Sequence, residues 1–171
     1  ELSAGQQKAN PDFDFCIARH AVNFARFVAQ SLGAGFVVLD REHGCARVVK
    51  KVSGITYTRD FSDFRAPTLQ QDLSSRDFTV NSMALELEHL FSGQPLPERL
   101  IDPCGGKRDW DEKVLRMAGP RAFDDDPVRI MRAFAFSALF GLRIEPRTLA
   151  LLLKKKAHLR KVSAERIRDE F

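Results

Sequence analysis

The 171-residue chain suits one medium domain or two small ones, and its 44% apolar and 29% charged residues describe a soluble globular protein with a real core. No run of eighteen apolar residues exists and Glu1 opens neither a signal nor a transit peptide, so the reading is cytoplasmic, without membrane contact. The net charge of +4 is uneven: from Arg143 onward nine Lys/Arg stand against four Asp/Glu.

In chain order, DFDFCI (12–17) reads as a short strand, and AVNFARFVAQSL (21–32) has apolar residues at helical spacing and stops at Gly33. FVVLD (36–40), REHG and CARVVKKV (45–52) read as a hairpin, and ITYTRDFSDF (55–64) continues as a third long strand. One helix followed by adjacent strands predicts an α+β layer. Around TVNSMALEL (79–87) a short helix should lead into another strand, and PLPERLIDPCGG reads as a connector around a brief edge strand. Helices are predicted over about 127–140, from Pro146 through LALLLKKK, and from Ser163. The last is cut off by the end of the chain, which suggests a fragment of something longer. The expected boundary lies near residue 120, giving domains 1–120 and 121–171.

Cys16, Cys45 and Cys104 are too few and too scattered for a disulfide framework or a zinc pattern, and fit a reducing compartment. His20, His43, His89 and His158 are equally dispersed, as surface or packing residues are. Asp12 and Asp14 are different. Two apart on a strand, they point to one face and repel unless something compensates. Such all-oxygen donors suit Mg²⁺ bound together with substrate phosphates, although D-x-D at a strand edge also occurs simply exposed to solvent. Asp63, near the end of the third long strand, is the expected third acid; the alternative is an ion pair with Arg65 or Arg59.

Four further segments follow: QQDLSSRDFTVNSMALEL, LIDPCGGKRDW, FDDDPVRIMRAFAFSALFGLRI and VSAERIRDEF. With the D-x-D strand, this ordered set resembles the class II tRNA nucleotidyltransferase and bacterial poly(A) polymerase family, a branch of the polymerase-β-like nucleotidyltransferases. The family pattern runs D-x-D, R-R-D-F-T-x-N-A-M-A, I-D-P-x-G-G, E-D-P-x-R-x-x-R-A-x-R-F and E-R-x-x-x-E, and the resemblance covers residues 12–170. It implies a head with a mixed sheet and helices followed by an all-α neck, and transfer of nucleotides from CTP or ATP to an RNA 3′ end, most often that of tRNA. Asp12 and Asp14 would hold catalytic Mg²⁺, with Asp63 as third acid and base in a two-metal reaction. Arg76, Asp77 and Asn81 would contact the ribose and phosphates of the incoming nucleotide. Asp126 and Arg129 would face its base, with Arg132 also in the nucleotide site. Glu165, Arg166 and Glu170 would brace the neck. Lys154, Lys155, Lys156, Arg160 and Lys161 would touch RNA phosphates, although such a run is also common on a solvated helix face. No stable protein partner is expected.

The Asp126/Arg129 pair has a chemical logic. Three apart, they would share a helix face. Asp only accepts hydrogen bonds and Arg only donates them. Cytosine and adenine each offer an amino donor beside a ring-nitrogen acceptor, whereas guanine and uracil present a carbonyl and a ring N–H there. A mismatched polar contact costs roughly 1–3 kcal/mol.

Some positions depart from the family. The G-G-x-V-R-D loop that should cradle the triphosphate is missing, since ELSAG resembles only the segment after it. Ser75 stands for the first Arg of R-R-D, Asp125 for the usual Glu, and Ala135 for a second helix Arg. A poly(A) polymerase acting on generic RNA and a non-catalytic RNA-binding relative therefore remain as alternatives.

Overall fold

The computed structural model describes residues 12–91 and 99–170. The chain divides into two compact units between Leu69 and Gln70.

The first unit contains β1 (Asp12–Ile17), α1 (Ala21–Leu32), β2 (Gly35–Asp40), β3 (Cys45–Val52) and β4 (Ile55–Asp63). They form a four-stranded mixed sheet of order β1-β4-β3-β2, in which only the β1–β4 pairing is parallel. The β3–β4 connection needs two residues, Ser53 and Gly54, with φ of 51° and 81°. Positive φ at both central positions matches the right-handed twist of the flanking strands, and glycine supplies one of them without strain.

Alternation along the strands separates the two faces. Phe15, Ile17, Ala46, Val48, Phe61 and Phe36 pack with α1, which presents Ala21, Ala25 and Ala29 at helical spacing. These small side chains let the helix lie close on the sheet. Phe15 stacks on Phe61 with ring centroids 4.9 Å apart and fixes the β1–β4 register. The opposite face carries Asp12, Asp14, Arg47 and Asp60, with Val37 and Val49 among them.

The second unit contains α2 (Leu69–Ser74), α3 (Gly106–Asp111), β5 (Val114–Leu115), α4 (Ala122–Asp125), α5 (Arg129–Phe140), β6 (Arg143–Ile144), α6 (Pro146–Lys155) and α7 (Ala164–Arg168), with 3₁₀ turns at Thr79–Asn81, Leu87–Phe91 and Lys156–Lys161. Its core joins Phe78 and Leu115 to Phe123, Ile130, Ala133, Leu142 and Leu152. This packing crosses residue 120, so the expected boundary there falls inside one unit. The strand expected after residue 81 is reduced to single bridges, Phe78 with Met117 and Ala84 with Ile101. Most of the PLPERL connector lies outside the described residues.

The IDPCGG stretch has a local reason. Asp102 accepts the N–H groups of Gly106 and Lys107 at 2.7 and 2.9 Å and so starts α3. A Cβ on Gly106 would stand 2.0 Å from the Thr79 carbonyl oxygen, so glycine is required by close approach. On α3, fully buried Asp109 accepts from the Thr79 hydroxyl at 2.8 Å and from Arg116 at 2.9 Å. Among the described residues no helix is long and apolar enough to cross a membrane.

Candidate functional site

In the first unit the β1–β4 register sets Asp14 opposite Asp60 and Asp12 opposite Thr58. Cross-strand partners share a face, so Asp12, Asp14 and Asp60 lie on the polar side of the sheet. Arg47, opposite Asp60 on β3, donates two hydrogen bonds to its carboxylate, from Nε and Nη2, both at 2.7 Å. The guanidinium is held above the usual arginine range first by these bonds to Asp60; burial opposes this, and the charges of Asp60, Asp12 and Asp14 add to it. The expected pair is thus part of a face of three carboxylates and one arginine.

Asp63 is not on that face. It pairs with Ile17, on the helix side, and its Oδ1 accepts the Ala21 N–H at 2.7 Å. This carboxylate caps α1 from across the sheet, in place of His20, whose side chain makes no cap bond. A Cβ on Gly44 would come 2.3 Å from Asp63 Oδ2, so the turn before β3 also closes on it. The carboxylate that stands beside the pair is Asp60. Strand parity contains the signal: Phe61 is a core residue, which sends its neighbour Asp60 to the polar face and returns Asp63 to the helix face.

As a metal site the donor set is hard oxygen, which suits Mg²⁺. Among the described residues no three His, Cys, Asp or Glu side chains converge into a ready-made cage. Asp60 spends both oxygens on Arg47. Asp12 and Asp14 would supply only part of a coordination shell, which substrate oxygens would have to complete.

In the second unit, Asp77 is buried and organises its neighbours. Oδ1 accepts from the Phe78 N–H at 2.8 Å and from Asn81 Nδ2 at 3.3 Å, while Oδ2 accepts from Arg132 Nη1 at 3.2 Å. The rest of the Arg132 guanidinium engages Glu170, with Nη2 to Oε1 at 2.8 Å. Arg132 is pushed above the usual arginine range by its bonds to Glu170, then, against burial, by the charges of Asp77 and Glu170. Arg76 donates to Asp72 at 3.3 Å. The structure brings Asp77, Asn81 and Arg132 together, and Glu170 holds the Arg132 guanidinium.

Asp126 and Arg129 do not share a helix face. α5 starts at Arg129, and Asp126 lies in an extended break after α4, with φ −148° and ψ 103°. Its Oδ1 accepts the Val128 N–H at 3.3 Å, and its Oδ2 accepts Arg166 Nη2 at 2.8 Å. Arg129 turns elsewhere: Nη1 donates to the carbonyls of Ser75 and Ala122, both at 3.2 Å. The two side chains are held by different parts of the unit. Ser75 and Ala122 also line a small pocket with Ser74, Arg76, Gly119 and Asp125.

In the basic run, Lys154, Lys156, Arg160 and Lys161 are exposed. Lys155 is not available in the same way: half-buried, it donates to Asp124 at 2.5 Å and holds that carboxyl below its usual range. Glu165 is exposed in the first turn of α7.

Comparison with known proteins gives a consistent picture. Residues 3–116 match the model of the Poly A polymerase head domain, and residues 141–171 that of a probable RNA and SrmB-binding site of polymerase A. A CC-adding tRNA nucleotidyltransferase of Geobacter sulfurreducens is 37% identical over 94% of this chain and 35% of its own length. The Synechocystis enzyme of the same name is 34% identical over 98% of the chain and 37% of its own. A solved CCA-adding enzyme with ATP superposes with a TM-score of 0.75 at 32% identity, covering 95% of this chain and 38% of that one. The chain spans about a third of the length of the curated relatives it matches. Sequence motifs, head-domain match and fold agree, and the chain belongs to the class II tRNA nucleotidyltransferase and bacterial poly(A) polymerase family.

Proposed function

We propose that this chain carries the catalytic head and part of the neck of a template-independent RNA nucleotidyltransferase. It adds C, A or both from CTP and ATP to the 3′ end of tRNA. The observation that carries the reading is the placement of Asp12, Asp14 and Asp60 on one sheet face in a chain of this family. The two relatives aligned over nearly the whole chain are CC-adding enzymes, which favours C addition.

In the reaction the RNA 3′-hydroxyl oxygen attacks the α-phosphorus, a phosphodiester forms, and pyrophosphate leaves with the electrons of the broken P–O bond. Family enzymes need a divalent metal; Mg²⁺, as one ion or a two-metal pair, would neutralise phosphate charge and acidify the hydroxyl. Asp12 and Asp14 would hold it. Arg47 holds the Asp60 carboxylate in place with two hydrogen bonds, so the face needs no reorganisation at the moment of reaction. The second unit supplies recognition: Asp126 accepts from an exocyclic amino group, Arg129 donates to a ring nitrogen, and Asp77 holds Asn81 and Arg132 for the ribose and phosphates. The exposed lysines and arginines of 154–161 suit the RNA backbone.

The test is an extension assay on the full-length gene product with Mg²⁺, offering tRNAs ending before, within and after the CC positions, and a generic RNA. C or A addition confined to tRNA ends is expected, and Asp14→Ala should lower incorporation by about 10²-fold or more. Full activity of that variant would overturn the mechanism; A-tailing of generic RNA would make the enzyme a poly(A) polymerase. No incorporation by a folded protein would leave a non-catalytic RNA binder.

A further inference from the structure

We infer that Arg166 is a positioning residue that sets nucleotide selectivity by holding the Asp126 carboxylate in one orientation. The inference rests on the proposal that Asp126 reads the base.

Asp126 sits in a break between helices, so no helical packing fixes its side chain. The last torsion of an aspartate is broad, and neighbours must choose the carboxylate plane. Two do so. The Val128 N–H reaches Oδ1 at a long 3.3 Å, whereas Arg166 reaches Oδ2 at 2.8 Å with a charge-assisted bond. The second contact dominates.

Arg166 is itself well placed. It lies on α7, which opens on a Ser163 cap, the hydroxyl accepting the Arg166 N–H at 3.4 Å. Just past the far end of that helix, Glu170 grips Arg132, which also holds Asp77. The short helix is thus capped by Ser163 at its start and tied through Glu170 to Arg132 just past its end, and Arg166 projects from between the two.

The pair does not look built for stability. The side chains are 55% and 29% exposed, and ion pairs of that exposure contribute little. Its chemistry fits a different use. A carboxylate that donates nothing and accepts one bond at each oxygen still has a lone pair on each for an amino group, and it repels a base carbonyl. Freed from Arg166, the same carboxylate can turn aside or bind through water, and a carbonyl edge is no longer rejected. Discrimination should fall further than turnover. A residue that merely braced α7 would, when lost, weaken all nucleotides alike.

The experiment compares the full-length protein with Arg166→Gln, Arg166→Lys and Asp126→Ala, measuring equilibrium binding and single-nucleotide incorporation for CTP, ATP, UTP and GTP, beside thermal unfolding. Arg166→Gln is expected to lower the preference for CTP and ATP over UTP and GTP by about tenfold, the worth of one mismatched polar contact. Arg166→Lys, which restores a single charged donor, should recover most of it, with unfolding midpoints near wild type for both. An unchanged preference in Arg166→Gln, with all four nucleotides weakened together, would overturn the inference. If Asp126→Ala abolishes the preference in that same experiment, only the Arg166 role fails. If Asp126→Ala leaves the preference intact, base reading by Asp126 fails, and this inference with it.

Discussion

Asp60 and Asp63 stand three residues apart on β4 and face opposite sides of the sheet. One is chelated by Arg47 beside two other acids; the other closes the first turn of α1. Their replacements should therefore separate cleanly. Asp63→Ala is expected to cost about 0.5–2 kcal/mol of stability, as loss of a helix cap does, with kcat retained in the molecules that fold. Asp60→Asn keeps the shape of the side chain, should leave the unfolding midpoint within a few degrees, and should lower kcat, because Arg47 is left without its charge partner. Urea unfolding and steady-state kinetics on both variants read the difference; a stability loss confined to Asp60→Asn would reverse the assignment. D-x-D was legible because two-residue spacing on a strand needs no partner to interpret. The carboxylate that joins the pair on its face was not, since a strand's register depends on its neighbour, and only the core position of Phe61 betrays it. The Asp126/Arg129 geometry was not legible: the helix begins at Arg129, two residues past the expected start at 127, and leaves Asp126 outside it.

At the scale of elements, the meander and the helices from α5 onward follow from apolar spacing and from turns that end at Gly33 and Gly141. Residues 79–91 did not, because their backbone groups are satisfied by 3₁₀ turns and isolated bridges that carry no periodicity. The IDPCGG stretch looked like a connector and is a start signal for α3 that also seats Asp109 on Arg116 and Thr79. Gly106→Ala is expected to destabilise the second unit by about 1–3 kcal/mol, since the new methyl must push the Thr79 backbone away. Thermal unfolding measures it, and a neutral result would mean that the 79–81 turn moves freely.

For the whole molecule, composition and charge told the class of protein, but the division of the chain came from packing alone. Leu115 before residue 120 and Phe123 after it belong to one core, which no change of local character reveals. The family matches, 3–116 and 141–171, leave residues 117–140 between them, so Leu115 and Phe123 of one core fall on either side of a match boundary.

The parallel pairing of β1 with β4 has a kinetic consequence. β2, β3 and β4 are joined by short turns and can zip as a meander, whereas β1 must wait for α1 and for its partner more than forty residues away. The strand that bears Asp12 and Asp14 is thus expected to dock last and, as a sheet edge with acids facing acids, to open first. A divalent ion held by Asp12 and Asp14 would bind only the closed form, and by mass action it would lower the open population. Backbone amides of Asp12–Ile17 should then exchange more slowly in Mg²⁺ with nucleotide than in chelator, while those of β3 stay unchanged. The strand that presents Asp12 and Asp14 would be fastened by the complex formed on its own face.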